Sequence, residues 1–172
     1  LAFDRRNPGY LDRVTGTYGM FAMEFQERRN LGFSGVTNID THDTSFVFKK
    51  SNFFFDDVII CLGSGISNAD TAHPTVTTLY QNVTSPGNVT VNNGTYTSVG
   101  TTTSFSGTSD NWVLDNSGTG YYIVAGSGDL LVQRKDQQTP SPTQTNPSVL
   151  NPLTQAAIGY LSHGTAPSNS GY

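Results

Sequence analysis

Apolar residues along this chain alternate with polar ones over short stretches, and no long window keeps the 3.6-residue spacing of an amphipathic helix. The apolar side chains are mostly β-branched or aromatic, and Thr, Ser, Asn and Gly fill the intervals, which suits pleated, half-buried strands. The pattern predicts strands over Tyr18–Gln26, Ser45–Lys49, Asn52–Phe55, Val58–Leu62, Val76–Gln81, Asn88–Val91, Thr101–Phe105, Asn111–Leu114, Tyr121–Val124, Leu130–Arg134 and Ala157–Ser162. Turn-formers separate them at short intervals, as in a sandwich or barrel, so the fold class is all-β. Asn92-Asn93-Gly94 is a tight-turn signal, because both central positions of such a hairpin need positive φ. Asp115-Asn116-Ser117-Gly118-Thr119-Gly120 predicts a wider turn between an arm ending at Leu114 and one starting at Tyr121.

One stretch breaks the alternation. Residues 49–66 read KKSNFFFDDVIICLGSGI, with Phe53, Phe54 and Phe55 on one arm of a hairpin and Val58 to Leu62 on the other. Unbroken apolar runs predict strands covered on both faces, as between stacked sheets. Asp56-Asp57 is the bend. Paired carboxylates invite an acid/base role, but at a two-residue turn they point into solvent, and turn chemistry is the better reading. Cys61, the chain's one cysteine, lies inside the apolar run and is read as a small core side chain, since no second thiol exists to pair with it.

At 172 residues the chain matches one domain, able to remove roughly 70% of its unfolded surface from water. A single β-sandwich domain or segment over 1–172 is expected. From Asp136 to Pro152 four prolines stand among Gln, Thr, Ser and Asn, which predicts an exposed loop at 136–152. Nine basic against thirteen acidic residues, with no basic cluster, argue against nucleic-acid and anionic-membrane partners. No apolar run approaches the ~20 residues of a membrane span, and LAFDRRNPGY lacks the features of a signal peptide. The chain is therefore cytosolic or an internal piece of something longer. Three N-glycosylation sequons begin at Asn82, Asn88 and Asn93, a pattern that chance also produces in so Asn- and Thr-rich a chain.

The remaining chemistry-bearing residues read mostly as scaffold. His42-Asp43 suggests a base with its orienting carboxylate, but no nucleophile accompanies it, so a solvated loop is favoured. His73 precedes Pro74 in another loop, and three irregularly spaced histidines make no metal site. Gly63-Ser64-Gly65 follows a strand without a helix signal or lysine, so it is no phosphate cradle. Glu24, Glu27, Arg28 and Arg29 form an exposed charged strand end. Tyr80, Trp112, Tyr121 and Tyr122 are candidates for stacking on sugar faces, although most are expected in the core.

The segment KKSNFFFDDVIICLGSGISNADTAHPTVTTLYQN resembles the central β-region of polysaccharide lyase family eight, the chondroitin AC, chondroitin ABC, hyaluronate and xanthan lyases. In that family a K-[KS]-[SA]-W-F-F-F-D-[DS] hairpin runs into a C-L-G-[SA]-G-I exit and a T-T-L-x-Q strand, matched here by Lys49 to Asp57, Cys61 to Ile66 and Thr77 to Gln81. Gly16 to Met20 is similar to its G-x-Y-G-[MV] strand, Gly120-Tyr121-Tyr122 to its G-Y-Y strand, and Ser162-His163-Gly164 with Pro167 to its N-H-G-x-x-P turn. Two departures stand out: Asn52 replaces the tryptophan, and the proline-rich segment occupies the place of a G-x-W strand. The resemblance implies an antiparallel supersandwich, galactose mutarotase-like, as a truncated part of a larger chain. It assigns Phe53, Phe54, Phe55, Asp56, Gly63, Gly65, His163 and Gly164 structural roles.

The resemblance also implies β-elimination on a uronic acid, with asparagine, histidine, tyrosine and arginine supplied by an N-terminal helical toroid. None of these maps onto this chain, so no catalytic residue, metal or cofactor is expected in the segment. The partners implied are an acidic polysaccharide and the toroid of the same parent chain, with an extracellular or periplasmic location. Two readings follow: a segment of a secreted glycosaminoglycan-type lyase that supports the cleft, or a non-catalytic extracellular carbohydrate-binding or structural module of the same fold.

Overall fold

The computed structural model describes residues 18–26, 45–83, 88–96, 100–138 and 153–172. Eleven strands and no helix occur among the described residues: β1 (Tyr18–Gln26), β2 (Val47–Phe55), β3 (Val58–Ser67), β4 (Pro74–Val83), β5 (Val89–Val91), β6 (Gly94–Tyr96), β7 (Thr102–Phe105), β8 (Asn111–Leu114), β9 (Gly120–Ile123), β10 (Asp129–Gln137) and β11 (Thr154–Thr165). The expected fold class holds. The two segments expected at Ser45–Lys49 and Asn52–Phe55 are one strand, β2, while β6 was not expected at all. Asp136 and Gln137 close β10, and residues 139–152 of the proline-rich segment lie outside the described residues. Contacts divide the chain into two compact units, residues 1–75 with 164–172, and residues 76–163.

The first unit contains the three-stranded sheet β1-β2-β3. Phe55 pairs with Val58 across a turn made by Asp56 and Asp57, with Asp56 at φ 46°. Further along, β3 carries one extra residue opposite the Val47-to-Lys49 step of β2. Gly65, at φ 64°, lies in this bulge, a left-handed position that strains any residue with a Cβ. Gly63 exchanges two 3.0 Å backbone hydrogen bonds with Tyr172, and Ile66 does the same with Ser170. The Tyr172 ring lies so close over Gly63 that an added Cβ would sit 2.1 Å from it. The motif glycines are thus fixed by backbone shape and close approach.

The hairpin corrects the sequence reading. Phe54 and Phe55 are 39% and 41% exposed, and Val58, Ile59, Ile60 and Leu62 between 46% and 58%. Register shows how they are arranged: Tyr18 opposes Phe55, which opposes Val58, and Met20 opposes Phe53, which opposes Ile60, so apolar side chains of all three strands gather on one face, while Phe54 and Ile59 pair on the other. Most of that face is exposed in this chain. Cys61 is likewise exposed and not in the core. On the opposite face Phe25, Phe46 and Phe48 form an aromatic cluster, with centroids 4.9 to 5.8 Å apart.

The core sits in the second unit, where two four-stranded sheets have the orders β4-β11-β10-β7 and β6-β5-β8-β9. Val89, Val91, Val113 and Ile123 from one sheet, and Tyr80, Leu130, Val132, Ala157 and Leu161 from the other, are buried. Each large apolar side chain contributes about 1.5–3 kcal/mol through burial. Aromatic pairs join the sheets at both edges. Tyr80 of β4 meets Tyr121 of β9 at 5.4 Å, and Phe105 of β7 meets Tyr96 of β6 edge-on at 5.4 Å. Tyr80 fits because β11 offers a bare backbone: a Cβ on Gly159 would lie 2.2 Å from its ring. His163 Nε2, half-buried, lies 2.9 Å from Thr77 Oγ1 and so links β11 to β4.

Three outcomes follow from this packing. Gly159→Ala should destabilise the chain by about 1–3 kcal/mol in urea unfolding, through overpacking against Tyr80. Leu62→Thr and Ile60→Thr in the 172-residue chain should each change stability by under about 0.5 kcal/mol while lowering binding of a hydrophobic dye; a loss of core size would contradict the exposed placement. Burial holds the His163 imidazole below its ordinary value of 6.5. Between the folded and unfolded values the unfolded chain binds more protons, so acidification through that window removes stability. His163→Gln should lose less stability than the parent sequence when the urea midpoint is compared at pH 7.5 and pH 5.5.

Candidate functional site

Among the described residues of the second unit, Asp115 stands out as a heavily bonded polar group; it follows β8 and is buried. Its turn closes as an Asx arrangement. Oδ1 accepts Ser117 N at 2.8 Å and Thr119 N at 2.9 Å, and Oδ2 accepts Asn82 Nδ2 at 3.0 Å and Tyr121 Oη at 3.2 Å. Four donors satisfy a carboxyl group whose burial would otherwise be costly. The sequence reading identified this stretch as a turn and missed Asp115 as its organiser; an Asp ahead of Ser and Gly is the signal that was present. Beside it, the Tyr80 hydroxyl is buried without a hydrogen-bond partner.

Burial, with Asp115 and Tyr121 adding to it, holds the Tyr80 phenol well above its usual range. Burial and then Asp115 also raise Tyr121. Both rings keep their protons more firmly than free tyrosine, so neither is set up to abstract a proton near neutral pH.

The structure separates the sequons. Asn82 is half-buried, with Nδ2 committed to Asp115 and, at 3.3 Å, to Ser117 Oγ. Asn88 is exposed just ahead of β5, and Asn93 is exposed at φ 69° in the two-residue turn joining β5 to β6. That turn has the positive φ at both central positions that its sequence requires, with Asn92 at 46°.

Other sequence-predicted residues stay apart. Asp70 Oδ1 accepts Ala72 N at 2.7 Å, and its Oδ2 lies 2.9 Å from His73 Nδ1. The Ala72 N–H first, and then His73, lower the Asp70 carboxyl below its usual value. His73 therefore closes a surface loop. Glu24 lies across the β1–β2 register from Lys49 at 3.6 Å, both side chains exposed, a pairing worth little. Asp56 and Asp57 are exposed at the hairpin turn. Gly164, at φ 75°, turns the chain after His163. His42, Asp43, Glu27, Arg28 and Arg29 lie outside the described residues. Among the described residues no three His, Cys, Asp or Glu side chains gather as a metal site would need. Asn52, at the family's tryptophan position, is half-buried with its Oδ1 unpartnered. Tyr80 is buried, Tyr121 and Trp112 are half-buried, and Tyr122 is exposed.

Comparison with known proteins places this geometry. A family profile described as polysaccharide lyase family 8, super-sandwich domain, matches residues 13–172. Xanthan lyase of Bacillus sp. (strain GL1) is 34% identical over 137 residues, covering 72% of this chain and 14% of that protein. Chondroitin sulfate ABC exolyase of Proteus vulgaris is 33% identical over 124 residues, covering 72% of this chain and 12% of that protein. The chain thus spans about one seventh of the first relative's length and one eighth of the second's. Among solved structures, Paenibacillus xanthan lyase shares the fold with a TM-score of 0.63 and 24% identity, over 92% of this chain and 15% of that one. With the profile spanning nearly all residues and the sheets antiparallel, the chain belongs to polysaccharide lyase family 8 and carries its super-sandwich domain.

Proposed function

We propose that this chain is the central β-sandwich part of a secreted lyase that cleaves a uronic-acid-containing polysaccharide by β-elimination. It supports one wall of the substrate cleft, while a helical toroid N-terminal to it in the parent chain supplies the reacting groups. The observation that carries this reading is the family match over residues 13–172. The relatives' names, one for xanthan and one for chondroitin sulfate, favour an acidic polysaccharide as substrate.

The chemistry requires neutralisation of the uronate so that its C5 proton becomes acidic, a base to take that proton, and departure of the C4 oxygen to leave a C4–C5 double bond. The firmly held protons of Tyr80 and Tyr121 favour a base located elsewhere. Exposed Asn88 and Asn93 suit a secreted, glycosylated chain.

The test is the ultraviolet absorbance of the unsaturated uronide. The parent protein, incubated with chondroitin sulfate, hyaluronan or xanthan, should generate it with at least one substrate, and the 172-residue chain alone with none. Turnover by the isolated chain would overturn the placement of the reacting groups. A parent inert on every uronic polysaccharide would overturn the lyase reading in favour of a non-catalytic module of the same fold.

A further inference from the structure

The sheet β6-β5-β8-β9 buries Val89, Val91, Val113 and Ile123, so strand alternation sends Thr90, Trp112, Leu114, Gly120 and Tyr122 to its other face. Register brings them side by side: Trp112 opposes Tyr122, and Leu114 opposes both Thr90 and Gly120. Directly opposed residues have Cβ atoms about 5 Å apart, so the two aromatic residues are immediate neighbours. Tyr122 is 69% exposed, yet its ring is tethered. Its hydroxyl donates to Asp110 Oδ2 at 2.5 Å, and Asp110 Oδ1 in turn accepts Ala125 N at 2.7 Å. Beside Leu114 the face has an open notch, because a Cβ built on Gly120 would meet no atom within 4 Å.

We propose that this face is a stacking platform for uncharged sugar units of a polysaccharide, separate from the lyase chemistry and independent of it. A pyranose presents a face of C–H bonds and a rim of hydroxyls. The tethered Tyr122 ring and its neighbour Trp112 offer rigid apolar surface to the first at little cost in side-chain entropy. The Asp110 oxygens and the Thr90 hydroxyl offer hydrogen-bond partners to the second. Charge selects the ligand class. The outward strand positions, Thr95 of β6 included, carry no charge, and the carboxylate bonded to Tyr122, that of Asp110, repels a uronate or sulfate and accepts from a neutral hydroxyl. Single sugars bind such a surface weakly, and a polymer engages it repeatedly.

Trp112 is the chain's one tryptophan, so its emission reports the platform directly. The 172-residue chain is titrated with hydroxyethylcellulose and galactomannan, and with alginate as the charged control. The expected result is a shift in emission with at least one neutral polymer, roughly tenfold weaker apparent affinity for Tyr122→Ala, and a smaller loss for Tyr122→Phe, which keeps the ring and gives up its tether to Asp110. Gly120→Val fills the notch at an exposed strand position and should weaken binding similarly, which decides the matter if Tyr122→Ala does not fold by circular dichroism. Tyr18→Ala, on another sheet, should bind as the parent sequence does. No response to either neutral polymer, an equal response to alginate, unchanged affinity in Gly120→Val, or an emission change that tracks self-association in light scattering would each overturn the proposal.

Discussion

The second unit depends on one close approach, the Tyr80 ring laid on the bare backbone of Gly159 and against Tyr121. Two stacked sheets lie about 10 Å apart, and side chains must fill the gap to the density of an organic crystal. Tyr80 does so at the β4 edge only because β11 yields the volume of a methyl group beneath it. At the other edge Phe105 and Tyr96 do the same work edge-on, and between them the Val, Leu and Ala side chains are sealed from water. Bare glycine, large ring and small aliphatic residues therefore act as one shape.

The polar arrangement of Asp115 belongs to the same construction. Its carboxyl group draws in the Asn82 amide, two turn N–H groups and the Tyr121 hydroxyl, and so ties the β8–β9 turn to β4 near the edge where Tyr80 packs. The consequence is a cross-linked corner around the buried Asp115 carboxyl and Tyr80 ring, whose phenols resist ionisation. Such a corner suits a domain that holds a surface in place.

Much of this was legible from residue order. The ends of β1 and β8 follow directly from alternation, and the Asn92-Asn93 turn from the need for positive φ. The strand β6 escaped notice because its three residues, Gly94 to Tyr96, are too short to show a period. The phenylalanine run predicts a hairpin, which the structure contains, and burial on both faces, which it does not: a run of apolar residues records what a strand is suited to touch, and only tertiary structure records what touches it. Family membership stands without that burial, since it rests on the match over residues 13–172. Asp115 was hidden for a different reason. Its turn is announced by an Asp ahead of Ser and Gly, but its partner Asn82 comes from β4, and no local pattern announces a contact between residues that far apart.

The order of strands also sets a timetable. The sheet β6-β5-β8-β9 is assembled from residues 89–123, whereas β4 must wait for β11, which begins at Thr154. As the chain leaves the ribosome, one layer is complete before the strand that joins β4 to β10 exists. Closing that long loop carries the larger entropic penalty, and distant pairing of this kind is slow. Until β11 is inserted, the inner valines of the finished layer and the ring of Tyr80 lack their cover, and that interval is when a nascent chain of this fold is most exposed to aggregation.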